Sequence, residues 1–275
     1  MKVILRKILG LLILAVAFSS CSAYSKLVKS NDYQLKLMWA DQYYAKGEYA
    51  RASTLYQDVA PFYRGTEEME RISHTLSDCA VKTKEYETAI HYYTQYIKTY
   101  PRGKYLEESY YMIGYCYYRM SPEAKMEQSS TFKALEAFAL YLELYPNSDK
   151  VQEISLISNE LYDKLAYKEY LNVKLYYNLG DYMGNNYRAA VITGENALES
   201  YPHSKYKEDI SFIILKSKFK EAQMSVSQKM LDRFVGVIDE YYNFIGEYPQ
   251  SKNKKEAEKI FNIASKYVQP NLEKE

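Results

Sequence analysis

The chain has 275 residues, 47% of them hydrophobic and 26% charged, the balance of a folded protein with one or two domains. Its 36 basic and 35 acidic residues leave a net charge of +1, without the basic stripe that phosphate binding needs, which sets nucleic acid aside as a partner. The 33 tyrosines are unusual, and an apolar ring with a polar tip suits packing between helices while the hydroxyl stays at water.

The N-terminus reads as a secretory signal. Residues 1–7 carry Lys2, Arg6 and Lys7 without an acid, and residues 8–18 form an apolar run. At eleven residues that run is shorter than the roughly 20 a bilayer span requires. Ser19-Ser20-Cys21 resembles the bacterial lipobox, with Phe18 where the pattern usually has leucine. The resemblance implies that residues 1–20 are removed and that Cys21 is diacylated as the mature N-terminus; plain secretion is the other reading. Ser22 rather than aspartate after the cysteine implies outer-membrane delivery, and the lack of an acidic cluster in residues 22–26 argues against the cell surface. Residues 21–32 then serve as anchor and tether. Loss of the signal leaves 33 basic against 35 acidic residues.

Beyond the tether, four marks recur: Tyr100-Pro101-Arg102-Gly103, Tyr145-Pro146-Asn147-Ser148, Tyr201-Pro202-His203-Ser204 and Tyr248-Pro249-Gln250-Ser251. Proline lacks the helical amide and pushes the preceding residue out of the α region, so each mark closes a helix, and the small residue is expected to N-cap the next. Before each mark a helix carries residues at i, i+4 and i+7: Ala89, Tyr93 and Tyr96; Ala134, Phe138 and Tyr141; Ala190, Gly194 and Ala197; Val237, Tyr241 and Phe244. Ala52, Tyr56 and Val59 start the series, although Pro61 falls early.

The first helix of each pair is clearest at Tyr110, Ile113, Gly114 and Tyr117, the Trp-x2-Leu-Gly-x2-Tyr spacing of the tetratricopeptide repeat (TPR). Trp39, Ala40 and Tyr43 echo it, as do Tyr176, Leu179, Gly180 and Tyr187. The expected fold is all-α, a TPR-like α-solenoid of about five hairpins over residues 33–268, with a polar tail at 269–275. Ala257, Ile260, Phe261, Ala264 and Tyr267 mark a capping helix. Spacings of 45, 56 and 47 residues between marks exceed the usual 34 of the repeat, so residues 121–130 are expected to loop out and residues 151–182 to form one long helix. Cys79 and Cys116 fall at the same small position of adjacent helices, too far apart for a disulfide, and are expected as buried thiols.

The lipoprotein signal, the TPR-like units, Tyr-Pro-Asn-Ser before a long helix with Asp163-Lys164-Leu165-Ala166-Tyr167-Lys168-Glu169, then Tyr176-Tyr177 and Tyr187-Arg188-Ala189-Ala190, together resemble the BamD (ComL) family. Those are lipoproteins of the outer-membrane β-barrel assembly machine. The resemblance implies a lipid-anchored periplasmic scaffold at the outer membrane, with the barrel subunit and unfolded outer-membrane proteins as partners. Family members often carry an Asn-Arg pair that docks the barrel subunit; here Ile192-Thr193 stand there, so that contact does not transfer. The other readings are a TPR adaptor lipoprotein in envelope transport or cell division and a glycan-binding TPR lipoprotein.

Little in the chain suggests chemistry. His74, His91 and His203 have no second ligand at i+3 or i+4, and no nucleophile elbow, Walker loop or dinucleotide fingerprint occurs, so neither catalysis, metal nor cofactor is expected. In TPR proteins the residues interleaved with the core of the first helix face a concave groove. That alignment nominates Leu37, Asp41 and Tyr44; His74, Asp78 and Val81; and Tyr111, Tyr115, Tyr118 and Arg119. Tyr110, Ile113 and Tyr117 are then expected to pack inward. Aromatic groove walls suit an extended partner segment rich in aromatic and apolar side chains; the other reading packs these tyrosines against the 121–130 loop or the long helix.

Overall fold

The computed structural model describes residues 24–272; the signal segment, the lipidation site Cys21 and the end of the polar tail lie outside them. Among the described residues every regular element is helical, and the fold is all-α, built of TPR-like hairpins. No helix among them is long and apolar enough to cross a membrane.

The helices fall into two compact units. The first holds α1 (Tyr33–Ala45), α2 (Tyr49–Val59), a 3-10 turn at Ala60–Tyr63, α3 (Glu67–Lys82), α4 (Tyr86–Thr99), α5 (Leu106–Met120) and α6 (Ser129–Leu144). The 3-10 turn is where the early Pro61 sits, consistent with proline's lack of an amide. The second unit holds α7 (Val151–Leu179), α8 (Asn186–Ser200), α9 (Lys207–Gln223), α10 (Ser227–Glu247) and α11 (Lys254–Leu272), with each helix packed on the next. The long helix expected over 151–182 is α7 and ends at Leu179, where Gly180 takes a φ of 59°.

The Tyr-Pro marks end helices as expected. Tyr100, Tyr201 and Tyr248 have nearly superposable backbone angles, φ −125, −131 and −125° with ψ 67, 61 and 64°, well outside the α region. The small residue does not cap the next helix, because Tyr105, Lys150 and Tyr206 occupy the N-cap positions of α5, α7 and α9. Ser204 and Ser251 instead accept the amides two residues on, at 3.1 and 3.0 Å, which fixes the turn rather than the helix start. Elsewhere helices do start on side-chain caps: Asp32 accepts from Leu35 N and Thr66 from Met69 N. Glu67, Glu68 and Glu70 then place negative charge at the positive end of α3.

Within hairpins the second helix buries the predicted face, Ala89, Tyr93 and Tyr96 on α4 and Ala134, Phe138 and Tyr141 on α6. A polar clasp closes two of these hairpins. Tyr96 on α4 donates to Glu70 on α3, and Tyr141 on α6 donates to Glu107 on α5. In the α9–α10 hairpin Phe244 stands at the tyrosine position, and Ser251 donates to Glu208 instead.

The α1–α2 and α3–α4 turns share one hydrogen-bond pattern, with Glu48 N bonding Tyr43 O and Glu85 N bonding Ala80 O, both at 2.8 Å. Gly47 takes a φ of 77° in the first turn, and Lys84 takes 65° in the second. Glycine adopts that conformation freely, whereas a side-chain-bearing residue costs about 1–2 kcal/mol there.

Residues 121–128 leave the helices as expected, but the segment is internally bonded rather than free. Gln128 is buried and donates to the carbonyls of Glu123 and Met126 at 2.8 and 3.0 Å. Lys168 of α7 donates to Met126 O at 2.9 Å.

Candidate functional site

In the first unit, α3, the α3–α4 turn, α4 and α5 surround a cavity of about 450 Å³. Tyr86, Tyr111, Met112 and Tyr115 give it aromatic and apolar walls, and Val81 adds an aliphatic surface. Its charged lining comprises Asp78 and Glu108 together with three exposed cations, Lys82, Lys84 and Arg119.

The helical repeat produces this grouping. Asp78, Val81 and Lys82 are spaced i, i+3, i+4 on α3, and Glu108, Met112, Tyr115 and Arg119 are spaced i, i+4, i+7, i+11 on α5, so each set lies along one helix face. Arg119 donates to the Tyr115 hydroxyl at 2.8 Å and lies 5.5 Å from the Tyr86 ring centre and 5.7 Å from that of Tyr115. Those contacts hold the guanidinium charge above its ordinary range, the Tyr115 bond foremost. Tyr44 donates to Asp78, and burial together with that bond pushes the Tyr44 hydroxyl well up.

Five of the ten nominated residues meet in the cavity: Asp78, Val81, Tyr111, Tyr115 and Arg119. Tyr44 joins them through Asp78, and the Tyr118 ring lies 6.4 Å from that of Tyr115. Leu37 is 9% exposed and belongs to the N-terminal apolar core. Asp41 accepts both guanidinium nitrogens of Arg71, at 2.8 and 3.2 Å, and the Tyr56 hydroxyl, so it joins α1, α2 and α3. His74 stacks on Tyr105 at 4.1 Å with its Nε2 3.1 Å from Glu108 Oε2, which holds α3 against the start of α5.

Tyr111 reaches the cavity but is otherwise packed into the helix seam. The buried face of α5 is Ser109, Tyr111, Gly114 and Cys116, and Tyr111 packs on Phe138 and Tyr141. Gly114 admits the Phe138 ring, and Tyr111, three residues earlier, shares that face. Tyr110, Ile113 and Tyr117 are consequently only half-buried. Lys82, Lys84, Tyr86, Glu108 and Met112 escaped the sequence reading. Alignment of Gly47-Glu48-Tyr49 with Lys84-Glu85-Tyr86 was the available signal for two of them.

Cys79 and Cys116 are buried free thiols, and burial pushes both up to about 12. The Tyr93 hydroxyl is enclosed without a hydrogen-bond partner among the described residues.

Helical hairpins stacked in series, one set of them around a tyrosine-walled cavity, define a class: TPR-like helical-repeat proteins. Residues 37–185 match the YfiO family, described as an outer membrane lipoprotein, and this chain belongs to that family. A curated relative from Aquifex aeolicus (strain VF5), named "Putative outer membrane protein assembly factor BamD", is 24% identical over 176 residues. That match covers 63% of this chain and spans 56% of the relative's length. Among solved structures the chain is similar to the TPR2AB domain of yeast Sti1 at 12% identity, covering 85% of this chain and 98% of that one with a TM-score of 0.41. It is also similar to the P58(IPK) TPR domain at 14% identity, covering 92% and 70% with a TM-score of 0.40. The hairpin assignment rests on this chain's own helix pairs.

Proposed function

We propose that this protein is a non-catalytic, lipid-anchored periplasmic scaffold for assembling β-barrel proteins in the outer membrane. In this reading Cys21 carries the lipid, the C-terminal hairpins hold the barrel subunit, and the cavity on α3–α5 receives extended segments of unfolded outer-membrane proteins. The observation that carries the reading is the cavity itself, whose tyrosine and methionine walls offer the side chains enriched in recognition hot spots. Family membership and the assembly role in the relative's name support it. The wall residues fit an extended chain better than a small substrate, because the cavity lies along the faces of two helices.

The test is capture of the full-length protein from detergent-solubilised membranes of its native host. A large barrel protein with periplasmic repeats is expected among the copurifying chains. Its reproducible absence overturns the assignment to barrel assembly. Cys21→Ala is expected to move the protein from the membrane to the soluble fraction, and retention of the variant on membranes in high salt overturns the lipid anchor.

A further inference from the structure

The cavity on α3–α5 carries an asymmetry of charge that its aromatic walls do not account for. Both of its acids are engaged within the protein, Asp78 with the Tyr44 hydroxyl and Glu108 beside His74 Nε2. Its cations have no carboxylate partner among the described residues. Lys82, Lys84 and Arg119 are all exposed, and Arg119 is steadied by two tyrosine rings rather than by a carboxylate. Neither the Lys82 nor the Lys84 ammonium makes an ion pair or hydrogen bond among the described residues.

Lys84 is the telling residue. Its turn repeats the α1–α2 turn bond for bond, yet glycine occupies that place in the first turn and a lysine is held in left-handed backbone in the second. Burial does not explain the lysine, since its side chain is exposed at the cavity edge. Strained residues that persist without a packing role concentrate at ligand-facing positions.

We infer that Lys84, with Lys82 and Arg119, forms a cationic edge that reads an acidic side chain on the extended segment entering the cavity, its neighbouring aromatic or aliphatic side chains resting on Tyr86, Met112 and Tyr115. The inference rests on the groove reading above and adds a charge requirement to it. An internal Asp or Glu fits better than a terminal carboxylate. Chain termini are held in backbone nests, whereas these three cations are long side chains on separate elements along an open edge. Rim charges of this kind set partner choice and encounter rate more than total affinity.

The experiment uses the full-length lipoprotein in detergent micelles and fluorescence anisotropy with three labelled peptides. One is an amidated aromatic-aliphatic segment with a central Glu, the second replaces Glu by Gln, and the third is the Gln peptide with a free C-terminus. The Glu peptide is expected to bind best and to weaken as salt rises. Lys84→Gly and Lys82→Gln are each expected to weaken it about two- to fivefold, the range for an exposed ion pair. Lys84→Gly also separates binding from folding, because glycine relieves the turn: its melting temperature is expected to rise while its affinity falls.

Equal binding of the Glu and Gln peptides overturns the charge requirement and leaves the groove reading standing. Recovery of tight binding by the free-terminus peptide overturns it in favour of a terminal carboxylate. Wild-type affinity in both lysine variants removes the cationic edge. Failure of all three peptides to bind counts against the groove itself.

Discussion

The hydroxyl of Tyr96 donates to Glu70 Oε1 at 2.6 Å, and the same hydroxyl accepts the backbone amide of Tyr105 at 3.0 Å. One buried oxygen thus joins the last turn of α4 to the first turn of α3 and to the start of α5, while its ring fills the hairpin core. Tyr93, one helical turn earlier, is equally buried but has a hydroxyl without a partner among the described residues.

The two tyrosines should therefore respond oppositely to loss of the hydroxyl. Tyr96→Phe strands the Tyr105 amide and leaves Glu70 only the Lys104 amide as donor, and is expected to lower stability by about 1–3 kcal/mol. Tyr93→Phe removes an enclosed, unbonded polar group and is expected to leave stability unchanged or raise it by about 1 kcal/mol. Urea denaturation of both variants decides the point. A larger loss for Tyr93→Phe than for Tyr96→Phe would reverse the assignment.

Gly114 is held by close approach rather than by backbone conformation. A Cβ there would meet Phe138 Cδ1 at 2.6 Å and Cε1 at 2.7 Å, against a ring that is fully buried. Alanine gains about 1 kcal/mol of helix propensity, but forcing a methyl into a packed core costs about 1–3 kcal/mol. Gly114→Ala is expected to lower the melting temperature, whereas Gly236→Ala in α10, where nothing lies within 4 Å, should raise it. Stabilisation by the first substitution would show that the α5–α6 seam is looser than described.

The buried thiols make stability depend on alkaline pH. Cys79 and Cys116 are held up to about 12 by burial, above the roughly 8.5 of an exposed thiol. The unfolded chain therefore loses these protons first. The stabilisation is fully present below about pH 8.5 and drains away as pH rises toward about 12. Iodoacetamide at pH 8 is expected to leave both thiols unmodified in the native protein and to label both after denaturation. Rapid labelling of the native protein at either site would contradict their burial.

Lys36 is a lysine in a core position, 3% exposed, with its ammonium paired to Asp58 across the α1–α2 hairpin. Asp58→Ala leaves a buried charge without its partner and is expected to cost about 1–3 kcal/mol, below the roughly 3–5 kcal/mol of a fully buried pair because Asp58 is 43% exposed. Lys36→Met fills the same space without charge and should be close to neutral. Thermal melts of the two variants at pH 7 provide the comparison. Equal losses would mean that Asp58 contributes nothing beyond surface charge.

Much of this fold could be read before any coordinates. Tyr-Pro marks fixed the ends of four helices, since proline acts on its own backbone and its predecessor's regardless of surroundings. The i, i+4, i+7 positions of α4 were equally legible, because Ala89, Tyr93 and Tyr96 stand out from a polar remainder. On α5 the pattern is ambiguous. Tyr110, Tyr111, Tyr115, Tyr117 and Tyr118 spread aromatic character around the whole helix, so periodicity could not choose a face, and the choice was made by Gly114 admitting Phe138 from α6. The cationic edge depended on Lys84 occupying a glycine position, which becomes visible only when two turns are compared bond by bond. The clasp acids Glu70 and Glu107 resembled ordinary first-turn carboxylates; their tyrosine partners lie 26 and 34 residues away.

Glu70 with Tyr96 and Glu107 with Tyr141 each join the two helices of a single hairpin, and Glu208 with Ser251 joins α9 to the turn that follows α10. A hairpin copied in one piece therefore inherits its own closure and asks its new neighbours for the apolar seam and for inter-hairpin contacts such as Arg71 with Asp41. Chains of this kind can lengthen or shorten by whole hairpins, and their connecting segments can grow, without any clasp having to be reinvented. Turn residues such as Lys84 are then free to diverge from copy to copy while the closures stay the same.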